Sequence, residues 1–176
     1  MLRRSCILFI FISSLGWAAE VESRRLTHYV PQDLLEAAVR AEGWTEIPLA
    51  VKGGILKGDR VRVWTGGSID RGNGDQPGQL VNGPAGVSSA SAERMALSQD
   101  PAHGYALLFK SESSGPHRSQ LPGQSLEIKM TRDKERLWVG FNDEKGRYHD
   151  NHLGRGRQHE LDPLWVRIEV VRTIVD

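Results

Sequence analysis

The chain has 176 residues, with 23 Lys+Arg against 22 Asp+Glu and a single cysteine. That length suits one domain with a real core plus some additional chain. Near-neutral charge excludes a general electrostatic pull toward nucleic acid, and one cysteine excludes an internal disulfide framework.

The opening MLRRSCILFIFISSLGWAAE reads as a secretory signal over residues 1–18. Arg3 and Arg4 form the basic region, Ile7 to Ile12 the apolar core, and Gly16 and Ala18 the small residues at cleavage spacing. The apolar run is too short to span a bilayer comfortably. Cleavage removes Cys6 and leaves 21 basic against 22 acidic residues, a formal charge of −1. The expected location is therefore secreted or periplasmic, and packing, hydrogen bonds or a metal must fix the loops.

Residues 19–34 form a polar segment expected to be loosely ordered, ahead of a domain over 35–176. In DLLEAAVRAEGW (33–44), Leu34, Leu35, Ala38 and Val39 fit a helical face, while Leu35, Ala37, Val39 and Ala41 fit a strand face. Gly43 cuts the segment short and favours a strand. TEIPLAV (45–51) predicts an edge strand, because Pro48 cannot donate to a central ladder. LKGDRVRVW predicts a turn and then a strand with Val61 and Val63 on one face. Residues 65–86 read as a long loop rich in Gly, Pro, Asn and Asp, with a short helix compatible with 91–97. GYALLFK (104–110), QSLEIKM (124–130), RLWVGF (136–141) and LWVRIEVVRTIV (164–175) read as further strands. Trp138 and Trp165 fall in these strand patterns and are expected in the core. Several short strands with frequent turn signals and no internal repeat predict an all-β sandwich.

FNDEKGRYHDNHLG (141–154) carries more oxygen-bearing side chains than a hairpin turn needs. Asp143 supplies two carboxylate oxygens, and Asp150 with Asn151 supplies more, seven and eight residues on. Gly146 lets the chain fold back so that carbonyls face the same point. Hard oxygen donors of this kind suit Ca²⁺, though a solvated polar hairpin fits the same residues. Zinc, with His149, His152 and His159 beside Asp150, is disfavoured by irregular spacing and the lack of cysteine. A glycosidase built on Asp143 or Glu144 needs a second carboxylate at a set separation. No Gly-x-Ser-x-Gly elbow or phosphate loop is present.

LKGDRVRVW, GPAG, HGYALLFK and LWVGFNDEKGRYHDNHLG together resemble the PA-IL-like family of calcium-dependent galactose-binding lectins, over about residues 35–175. The specific part is the Asn-Asp and Asp-Asn pairs at matching distance, with Gly146 and Gly154 in place. The resemblance implies a β-sandwich of jelly-roll or galactose-binding-domain-like type, no catalysis, and a bound Ca²⁺. It also implies a metal set of Asp143, Asp150 and Asn151 side chains, the main-chain carbonyl of Arg147, and a carbonyl from 68–70, assigned to Asp70. Sugar hydroxyls would then reach the metal between Asp143, Asp150 and Asn151. Trp64, beside the long loop, and His149 are the accessory sugar contacts expected here, with core packing the competing role for Trp64. The implied partner is a carbohydrate, galactose-like sugars included, and a homo-oligomer suits the weak affinity of a single site. Where the family carries its galactose-contacting His and Gln, this chain has VSSASAER. A non-catalytic interaction module of the same fold is the alternative this difference favours.

Overall fold

The computed structural model describes residues 21–72, 81–87, 92–153, 155–156, 159–160 and 162–175. The expected signal segment, Gly154 and part of the long glycine-rich loop lie outside them. Thirteen strands follow in chain order: β1 (Val21–Tyr29), β2 (Thr45–Ile47), β3 (Arg60–Gly66), β4 (Ile69–Asp70), β5 (Val81–Asn82), β6 (Leu107–Ser111), β7 (His117–Arg118), β8 (Leu126–Lys129), β9 (Leu137–Phe141), β10 (His152–Leu153), β11 (Arg155–Gly156), β12 (His159–Glu160) and β13 (Trp165–Val175). Helix α1 (Gln32–Arg40) lies between the first two.

The strands build two four-stranded sheets, ordered β1-β13-β3-β8 and β2-β9-β6-β7, a small sheet β10-β4-β5 and the pair β11-β12, and all these strand pairings are antiparallel. Alternation drives the packing. On β3, Val61 and Val63 point inward, and on β13 so do Val166, Ile168 and Val170. From the second sheet come Leu107, Phe109, Leu137, Val139 and Phe141, and all these residues join one buried cluster. Each such side chain contributes about 1.5–3 kcal/mol on burial, so the shared core is what joins the two sheets. The chain is thus an all-β protein of sandwich architecture, as the strand pattern predicts. Among the described residues, no helix is long and apolar enough to cross a membrane.

Three expectations are corrected. Residues 33–44 open with a helix rather than a strand: Leu35, Ala38 and Val39 are buried and Ala37 is exposed, a spacing of three and four. Residues expected to be loosely ordered instead form β1, which pairs with β13 over nine residues from Val21↔Val175 to Tyr29↔Arg167. Its polarity fits an edge strand, where backbone pairing rather than side-chain burial makes the contact. Trp165 is not in the core; it is 45% exposed on the outer face of the first sheet. The edge position of β2 agrees with the reading of Pro48.

The candidate metal-binding loop

The loop leaves β9 through Asn142, which is fully buried and fully engaged. Its Oδ1 accepts from the N–H groups of Leu97 and Ser98, both at 3.0 Å, while Nδ2 donates to Ser98 O and His103 O at 3.0 and 2.9 Å. Asn142 is therefore an anchor and not a ligand. It ties the loop to the segment around the 3₁₀ turn Ala92–Arg94, which also runs beside the loop through Ala96 N–H to Asp143 O and Lys145 N–H to Arg94 O, both at 3.0 Å.

Asp143 follows, with 2% of its surface exposed. Oδ1 accepts from Glu144 N–H at 2.6 Å, whereas Oδ2 is buried without a hydrogen-bond partner. Burial pushes the Asp143 carboxyl above its ordinary range and the charge of Asp150 adds to this. The Asn151 amide, the Glu144 N–H and the cation of Arg71 oppose it. The chain turns back at Gly146 (φ +79°), whose N–H donates to Glu42 at 3.0 Å. Arg147 is exposed.

A 3₁₀ turn, Tyr148–Asp150, closes the loop. Tyr148 is buried, and its hydroxyl donates to Asp143 O at 3.3 Å, which pins the two ends of the loop together. Asn151 is fully buried; its Nδ2 donates to Val39 O of α1 at 3.0 Å, which aims Oδ1 the other way. That Oδ1 and Asp150 Oδ1 are again buried and unpartnered. Asp70 joins from β4 through the His152↔Asp70 pairing. It is fully buried, and its Oδ1 accepts from Gly72 N–H at 3.1 Å.

Among the described residues, five buried side-chain atoms have no hydrogen-bond partner, and three of them are Asp143 Oδ2, Asp150 Oδ1 and Asn151 Oδ1. A buried unpaired oxygen costs about 1–3 kcal/mol, so three within one nine-residue loop call for a common cause. The donor set is two carboxylates and a carboxamide, all oxygen, which fits a hard cation such as Ca²⁺. Among the described residues no group of three His, Cys, Asp or Glu gathers in a way that could hold a metal, so neither a zinc cluster nor a third acidic side chain joins Asp143 and Asp150; the side chain of His159 lies outside the described residues.

The structure also places residues that sequence reasoning missed. The Arg71 guanidinium stands 3.7 Å from the centre of the Tyr105 ring, and the Tyr105 hydroxyl donates to Glu144 Oε1 at 2.8 Å. Burial, with Glu144 beside it, pushes the Tyr105 hydroxyl up to about 12, so it stays a donor at physiological pH. The only sequence signal for this cluster is adjacency, since Arg71 follows Asp70 and Glu144 follows Asp143. His149 is exposed on the closing turn. Trp64 is half-buried on β3 with the Arg167 guanidinium 4.2 Å from its ring centre, so one indole face is already covered.

Gly72 is needed where it stands. Its φ is +64°, and an added Cβ would lie 2.5 Å from Asp150 O and 2.6 Å from Asp150 Cγ. Gly72→Ala is expected to displace Asp150 and to cost about 2 kcal/mol or more in denaturant unfolding.

An antiparallel, two-sheet β protein with an oxygen-lined loop is the class that fold and geometry define. No known family profile and no curated protein matches the chain. Among solved structures it is similar to one described as "EclA N-terminal domain; PllA-like lectin", at 15% identity and a TM-score of 0.37, over 86% of this chain and 95% of that one.

Proposed function

We propose that this chain is an exported, calcium-dependent carbohydrate-binding module without catalytic chemistry. The observation that carries the reading is the trio of buried, unpartnered oxygens on Asp143, Asp150 and Asn151. These three side chains, with the carbonyls of Arg147 and Asp70, would hold the cation. When bound there, calcium supplies open coordination positions that two neighbouring sugar hydroxyls fill in place of water.

The protein's own part is orientation. Val39 O and Asn142 fix the loop from behind, and the Tyr148 hydroxyl joins its ends. Two carboxylates offset the charge of a divalent ion, so neutral hydroxyls suit the remaining positions. Arg71, Tyr105 and Glu144 stand beside Asp143, the place from which a side chain selects among sugars. They take the role left open by the missing His and Gln pair.

The test is a glycan array probed in about 1 mM calcium, the upper end of the affinity range of extracellular calcium modules, and again in chelator. The reading expects glycan signals that vanish in chelator. Calcium-dependent stabilisation without any glycan signal would leave a metal-bound interaction module instead.

A further inference from the structure

The outer face of the first sheet is a set of cross-strand rows fixed by register. Tyr29, Arg167 and Trp64 lie side by side on β1, β13 and β3. The next row is Thr27, Glu169, Arg62 and Glu127, and the one after it Arg25, Val171, Arg60 and Lys129. On the other side of the aromatic row, away from the charged ones, the next pair is Trp165 with Gly66.

The Trp165 indole occupies the space a side chain at position 66 would need: an added Cβ on Gly66 would lie 2.5 Å from its Cε2 and Cζ2 and 2.6 Å from Nε1. The ring is thus backed by the main chain of β3 while 45% of the residue stays exposed. Tyr29 beside the same row is 65% exposed. Arg167, two residues along β13 from Trp165 and paired with Tyr29 of β1, holds its guanidinium over Trp64 of β3, which fixes it on this face.

We propose that Trp165, Arg167 and Tyr29 form a second carbohydrate site, independent of the metal loop, that takes the C–H face of a hexopyranose in a neutral glycan. The chemistry is complementary at each point. Axial C–H groups of a pyranose carry partial positive charge and suit the negative face of an indole. Equatorial hydroxyls at the ring's rim accept from the guanidinium and exchange hydrogen bonds with the phenol. Rigid backing of the indole by Gly66 lowers the entropy lost on binding.

The surroundings argue against a protein partner. A stable protein interface covers about 800 Å² per partner with an apolar centre. Here the aromatic end gives way within one row to Glu169, Arg62 and Glu127, with Arg62 Nε donating to Glu127 at 2.9 Å. The patch matches one or two sugar rings. The Arg167 charge already faces an aromatic ring and Glu169 shares the face, which favours neutral over acidic sugars.

The test is native affinity electrophoresis in EDTA, with soluble galactomannan, xylan and hydroxyethylcellulose as probes. The expected result is retardation by at least one of them, about tenfold weaker in Trp165→Ala and partly kept in Trp165→Phe. Asp143→Asn leaves it unchanged, which separates this site from the metal loop. Both tryptophan variants should melt near the parent temperature, because the side chain is at the surface. Three outcomes overturn the proposal: no retardation by any probe in EDTA, retardation that Trp165→Ala leaves intact, or a dimer in size-exclusion chromatography that Trp165→Ala splits.

Discussion

Asp143→Asn abolishes calcium-induced stabilisation without harming the metal-free fold. Asn keeps the shape of the side chain and can still accept from Glu144 N–H. It removes a charge that burial and the neighbouring Asp150 both disfavour, raising the carboxyl's pKa. The metal-free variant is therefore as stable as the parent or more so at neutral pH. With calcium the order reverses. A ligand at 100 times its dissociation constant stabilises by about 2.7 kcal/mol, which for a domain of this size is roughly 5–10 °C. Loss of one of two carboxylates weakens calcium by about a hundredfold, since affinity follows the charge of the ligand set, and the gain disappears. Paired thermal melts in calcium and in EDTA measure both halves.

Glu135→Ala is expected to lower stability measurably, and it does so far from the candidate loop. Glu135 is buried, and hydrogen-bond donors hold its carboxylate. Oε1 accepts from Ser113 N–H at 2.9 Å and from the Ser113 hydroxyl in a short contact. Oε2 accepts from the N–H groups of Thr131 and Arg132 at 2.8 and 3.2 Å. The carboxylate thereby staples the turn after β6 to the segment between β8 and β9. Alanine removes the acceptor of three main-chain N–H groups, on Ser113, Thr131 and Arg132, which are exposed residues, so water takes up part of the loss. The expected loss is about 1–3 kcal/mol in urea unfolding at pH 7. Glu135→Gln, which keeps one acceptor oxygen, should fall between.

The same residue sets an acid limit. Burial works to raise the Glu135 pKa, but the hydrogen bonds from Ser111, Ser113 and Thr131 outweigh it and hold the carboxyl at about 2, against an ordinary 4.5. A depressed folded-state pKa means that its stabilisation is complete above the unfolded value. It is then lost as pH falls from about 4.5 through about 2. Glu135→Ala has no such contribution, so the gap between parent and variant should narrow over that window.

The Asp143, Asp150 and Asn151 set is legible in the sequence because its members lie within nine residues and share one loop. Their supports are not legible. Asn142 finds its partners at Ser98 and His103, and Asn151 reaches Val39, contacts set by the packing of distant segments. Asp70 sits in a stretch that reads as loop, and only its pairing with His152 brings it to the metal loop.

In α1 the two periodicities overlap at Leu35 and Val39, and what decides is that Ala38 rather than Ala37 is buried. For β1, an edge strand needs only backbone pairing, so its polar composition hides it. Trp165 sits in an apolar alternation that buries Val166, Ile168 and Val170, which placed it by composition in the core. Phase is the correction: Trp165 is one residue out of step with the buried set and so faces out.

The proposed function requires the three unpartnered oxygens to close on one hard cation. Isothermal titration of the purified, chelator-treated protein with Ca²⁺ tests this. Saturable binding at one site is expected, with a dissociation constant on the order of 10⁻⁴ M or tighter, lost in Asp143→Asn. A flat titration at millimolar calcium, with a melting temperature equal in calcium and EDTA, would contradict it.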